Sequence, residues 1–133
     1  MRLALHSATL VVLVLAACAR PSSAPREADP GENVEVAVGE SVQVRGSDTR
    51  VLFVGANDSR CPSDVVCVTA GDAVIVVVFS GRAGSRTDTL YLVRQPKSRT
   101  YGGFRFEAAD LQPYPKSTGP RPSPTLTLRL LAL

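Results

Sequence analysis

Two cysteines, Cys61 and Cys67, lie in the run DSRCPSDVVCVTAGDA from Asp58 to Ala73, with Arg60 beside the first and Asp58 and Asp64 close by. Such a group invites three readings: a metal site, a redox pair or a stapled loop. The spacing Cys61-Pro-Ser-Asp-Val-Val-Cys67 is not the tight CxxC of a thioredoxin-like redox motif, and it lacks the four ligands of a structural zinc site. A disulfide closing this short loop fits better and contributes roughly 2–2.5 kcal/mol on a chain-entropy estimate. The single histidine of the chain is His6, close to the N-terminus. A domain without histidine has no Ser-His-Asp or Cys-His catalysis and no His-ligated zinc. Carboxylate chemistry is the surviving catalytic option. Asp58, Asp64 and Asp72 surround the loop, and paired carboxylates hydrolyse glycosides or collect Ca²⁺ where enough oxygens converge. The spacing matches no calcium loop, however, and Asp58 and Asp72 read more simply as turn residues that hydrogen-bond nearby backbone. No residue is therefore assigned a catalytic role, and no metal or other cofactor is expected.

The N-terminus is read as a processed segment. MRLALHSATLVVLVLAAC carries one base, Arg2, then an apolar run from Ala8 to Ala17 that is short for a bilayer core of ~30 Å. Leu15-Ala16-Ala17-Cys18 resembles a bacterial lipobox. The resemblance implies cleavage after Ala17, a diacylglyceryl group on Cys18 and acylation of the new N-terminus, with each buried CH₂ contributing ~0.8 kcal/mol of anchoring. It also resolves the cysteine count: of three cysteines, lipidation takes one and leaves Cys61 and Cys67 as an even pair in an oxidising compartment.

The elements that hold the loop are read from periodicity. Residues 18–33 contain the Pro-rich run ARPSSAPREADPGEN and read as a tether of at most ~45 Å, clear of any core. From Val34 the period is two: Val34, Val36 and Val38, then Val42 and Val44, then Val51 and Phe53. The run AVIVVVFS from Ala73 to Ser80 is continuously apolar, which predicts a central strand covered on both faces. Alternation returns at Thr87–Arg94, around Phe104 and Phe106, and in TLTLRL from Thr125 to Leu130, with a Pro-rich connection between the last two. A short turn of helix is expected over Glu107–Leu111. About seven strands with turn signals between them predict an all-β domain over 34–133, an antiparallel sandwich of immunoglobulin-like layout or a small barrel.

The block DSRCP, then Cys67, Ala70 and Gly71 before an apolar strand, with LQPYP downstream, resembles a family of small uncharacterised bacterial lipoproteins with the pattern DSRCPxxxxCxxAGxA. Thr69 stands where that pattern usually has Trp. The resemblance implies a compact β domain and no particular substrate.

Charge narrows the partners. The whole chain has a formal net charge of only +3, and an exported protein of that balance is not read as a nucleic-acid binder. Residues 20–72 hold five bases and nine acids, whereas residues 82–105 hold six bases and one acid. The second segment fits charged edge strands, or a face for anionic headgroups or acidic polysaccharide. The sequence thus describes a cell-envelope lipoprotein, outer-membrane and facing the periplasm if the cell is Gram-negative. It would be attached through its N-terminal lipid and carry a stapled β module that binds or supports an envelope protein or polysaccharide. Asp58, Arg60, Ser63 and Asp64 form a candidate recognition loop, the basis of an alternative reading as an inhibitor. A small carboxylate-dependent hydrolase is the remaining alternative.

Overall fold

Alternating valines and leucines can be hidden only if each strand turns one face toward another layer, and the chain does this twice. The computed structural model describes residues 24–133; the signal peptide read at 1–17 and Cys18 lie outside them. Nine strands follow one another: β1 (Arg26–Ala28), β2 (Asn33–Ala37), β3 (Ser41–Val44), β4 (Arg50–Asp58), β5 (Ala73–Gly81), β6 (Gly84–Tyr91), β7 (Ser98–Tyr101), β8 (Phe104–Gln112) and β9 (Thr125–Ala132). They form a five-stranded sheet in the order β1-β3-β4-β5-β6 and a four-stranded sheet in the order β2-β9-β8-β7. The domain is an all-β sandwich rather than a closed barrel, and among the described residues there is no helix.

The connectivity is a meander. β3 to β6 run side by side through the first sheet, β7 to β9 through the second, and β2 returns beside β9. Every pairing is antiparallel except that of β1 with β3. The inner faces meet in a core that includes Phe53, Ile75, Phe79, Leu90, Phe106 and Leu128, all fully buried. Phe79 stacks on Tyr101 at 5.5 Å and tilts against Phe106 at 5.0 Å, joining the two sheets. The open edge between β6 and β7 is bridged by inward-pointing charge: Asp88 accepts from Arg86 Nε at 2.7 Å and from Arg99 Nε at 3.0 Å. Charges placed there also discourage edge-to-edge association.

Three expectations change. Residues 26–33, read as tether, belong to the sandwich: β1 pairs with β3 in register Ala28↔Val44, and Ala28 is buried. An alanine among polar residues gives no periodic signal, so the pairing is invisible to a hydropathy reading. The strand β5 is internal to its sheet, but its faces differ. Ala73, Ile75, Val77 and Phe79 are buried while Val74, Val76 and Val78 remain partly exposed, because no second layer covers the outer face. The helical turn expected at Glu107–Leu111 is strand: Phe106, Ala108 and Leu111 point inward, and a bulge between Ala108 and Asp110 supplies the change of phase that breaks simple alternation.

All long connections gather at one end of the sandwich: 59–72 between β4 and β5, 92–97 between β6 and β7, and 113–124 between β8 and β9. The short link 38–40 lies at the same end. Because β1 is parallel to β3, the chain enters the first strand from this side too. Among the described residues, the opposite end carries short turns and the C-terminus.

Candidate functional site

The connection after β4 holds the residues singled out from the sequence. The β4–β5 ladder continues past the strand ends, with Ser59 N–H donating to the Asp72 carbonyl at 2.8 Å and Cys61 N–H to the Ala70 carbonyl at 2.8 Å. Gly71 lies between these rungs with φ at +67°, and a Cβ there would overlap the Ser59 carbonyl. Glycine is thus required twice over, by backbone conformation and by close approach. Beyond the rungs the loop is closed by a disulfide between Cys61 and Cys67, with Cα atoms 5.8 Å apart.

Arg60 points inward, not outward. It is 7% exposed. Its Nε and Nη2 donate to the two oxygens of Asp58 at 2.8 and 2.6 Å, and Nη2 also donates to the Leu111 carbonyl at 2.8 Å. The guanidinium lies 4.3 Å from the Tyr114 ring centroid, so Arg60 ties β4, β8 and the Pro-rich connection together. Hydrogen bonding to Asp58 raises its pKa above the ordinary value, against the opposing effect of burial. Asp58 additionally accepts the Arg60 N–H at 3.1 Å, a local turn bond that sets the backbone.

Asp72 is 8% exposed and serves a different loop. Oδ1 accepts N–H groups from Ala73, Leu92 and Val93, and Oδ2 accepts from Arg94 at 3.1 Å. Burial pushes this carboxyl up, but the four backbone donors outweigh it and hold the pKa below the ordinary value. Asp64 lies at the exposed loop tip. It accepts from the Ser117 hydroxyl at 2.6 Å and the Ser117 N–H at 2.9 Å, and these bonds lower its pKa. Ser63 N–H donates to the Pro115 carbonyl at 3.1 Å, and its hydroxyl accepts from Lys116 Nζ at 2.8 Å. The stapled loop is therefore clamped along one side to the Pro-rich connection.

An open groove of about 840 Å³ runs between the end of β4 and that connection, with Asn57, Tyr114, Arg121 and several prolines in its walls. Of the three carboxylates considered for hydrolysis, only Asp58 lines it, and Asp58 is engaged by Arg60. Asp64 and Asp72 face separate partners, so the structure does not bring the three into one cleft. Among the described residues no cluster of three His, Cys, Asp or Glu side chains is placed to hold a metal ion.

Sequence reasoning brought Asp58, Arg60, Ser63 and Asp64 to one loop but did not separate the inward pair from the two that meet the 113–124 connection. It did not find the partners Leu111, Lys116 and Ser117, which are some fifty residues away in the chain and carry no local signal. Nor did it single out Val66 and Val68, which are both fully exposed.

Fold and site together define a disulfide-stapled β-sandwich of meander order whose long loops are cross-braced at one end. No family model matches the chain, and neither a curated protein nor a solved structure matches it.

Proposed function

We propose that the chain is a cell-envelope lipoprotein, anchored through acyl groups on Cys18, whose sandwich is a non-catalytic structural or binding module. The observation that supports the module most directly is that its candidate reactive groups are already engaged by partners within the domain, Asp64 at the exposed tip by Ser117 included. Asp58 neutralises Arg60, Asp72 is saturated by backbone donors, and Cys61 and Cys67 are oxidised together. A general acid or nucleophile must instead be within reach of a substrate. The anchor rests on the lipobox-like Leu15–Cys18 segment, and the DSRCPxxxxCxxAGxA block is in keeping with the lipoprotein family that it resembles.

Labelled palmitate tests the anchor. The full chain expressed in a bacterial host incorporates label, and Cys18→Ala abolishes incorporation and releases the protein from the membrane fraction. Equal labelling of the two forms contradicts the proposal.

A further inference from the structure

The apolar surface of the domain is distributed unevenly. Among the described residues, the large hydrophobic side chains that are exposed include Val38, Val65, Val66, Val68, Val93 and Tyr114, all in connections at the stapled end. Only Val54 on β4 and Leu133 at the far terminus lie elsewhere. The opposite end exposes charges instead, with Arg45 near Glu27 and Asp29, and Arg82 near Asp48. Val66 is 100% exposed, and the disulfide and the Asp64–Ser117 clamp hold the loop in which it sits. Exposed apolar side chains concentrated at one end of a domain, as here, mark a contact with another phase or molecule.

We propose that the stapled end is a lipid-docking surface, with the Val65–Val68 tip seated at the boundary between headgroups and acyl chains and Lys116 and Arg121 against anionic headgroups. This rests on the reading of Cys18 as an anchor. The length and direction of the chain single out lipid as the occupant. The stretch from Cys18 to Pro25 reaches at most ~28 Å when fully extended, and it joins β1 from the stapled side. Arg26 is level with Val42 and hence with Val51, while β4 continues from Val51 to Asp58, opposite Phe79 to Ala73 across a bulge and so about 20 Å further at 3.3 Å per residue. The loop projects beyond Asp58. Even a taut anchor therefore leaves the valine tip close to the surface in which Cys18 is held.

Charge agrees with this orientation. Lys116 and Arg121 are exposed in the Pro-rich connection, whereas Asp58 and Asp72 at this end are occupied internally. Asp64 is exposed and keeps its charge, but Lys116 is one of the groups that stabilise it, and Glu40 is exposed and accepts the Ala37 N–H. Basic residues beside an apolar tip suit a surface of anionic lipid.

The chain contains no tryptophan, so Val66→Trp provides a sole indole reporter, excited selectively over the three tyrosines, at a position that contacts no core. Full-length V66W protein is carried in vesicles of phosphatidylethanolamine and phosphatidylglycerol, with L133W as the comparison. The V66W emission is expected to shift to the blue and to be quenched by brominated acyl chains, while L133W emission remains that of indole in water. Emission from V66W as accessible to aqueous acrylamide as that from L133W overturns the docking surface. A blue shift that arises without lipid and disappears on dilution assigns the tip to a second copy and also overturns it. The lipid on Cys18 is assayed on the same preparation. If none is found, the same protein is mixed with the same vesicles: a V66W response then retains the docking surface although the anchor is lost, and no response removes both.

Discussion

At the scale of the residue, Arg60 decides how the DSRCP block is to be understood. Its charge is paired, its donors are used inside the domain, and its planar face covers Tyr114. Removing one member of a buried ion pair leaves the other uncompensated, so Arg60→Ala is expected to lower unfolding stability by about 3–5 kcal/mol. Arg60→Lys keeps the charge but loses the two-pronged geometry and is expected to fall between wild type and Arg60→Ala in urea unfolding. Near-wild-type stability of Arg60→Ala would place the residue's role elsewhere. Asp72 gives a pH signature. Its folded pKa lies below the ordinary value of 3.8, so its stabilisation is present above that value and is lost as pH falls through the depressed one. Urea midpoints should therefore fall as the medium is acidified below about pH 4. Asp72→Asn should be less stable at neutral pH by about 2–3 kcal/mol, through unpaired N–H groups, and should show a shallower slope in the acid window. Identical acid slopes in the two proteins would remove Asp72 from this account.

At the scale of the element, the staple and the Pro-rich connection act as one unit, joined through Ser63, Asp64, Lys116 and Ser117. Replacing both cysteines by alanine is expected to cost about 2 kcal/mol and to raise amide exchange in 59–72 and in 113–124 together, while the β8–β9 ladder stays protected. Exchange confined to 59–72 would mean that the clamp does not couple the two loops. The strands themselves were readable because period two reports a half-buried sheet: Val34 and Val36, Val42 and Val44, and Leu126, Leu128 and Leu130 turn inward as their spacing implies. β1 was not readable, since one buried alanine makes no pattern, and Glu107–Leu111 misled because a bulge shifts its phase. The disulfide followed from cysteine spacing and count. The inward aim of Arg60 did not, because the carbonyl and the ring that hold it come from Leu111 and Tyr114, which meet β4 only in the folded sheets.

At the scale of the whole molecule, the sandwich has two unlike ends: one of short turns and paired charges, the other of long braced loops, exposed valines and the incoming chain. Because β1 and the start of β2 take residues 26–28 and 33 into the sandwich, an anchor at Cys18, as proposed, would hold the second end toward its surface. Fold, staple and bracing describe a braced module, and the proposed attachment through Cys18 would give that module a place to act. The proposed lipid on Cys18 decides where the module acts, and mass spectrometry of the N-terminal peptide of the mature, membrane-extracted protein reads it out. The expected peptide begins at Cys18 and carries the mass of a diacylglyceryl group and an N-linked acyl chain. A peptide that begins elsewhere, or one that begins at Cys18 without added mass, would contradict it.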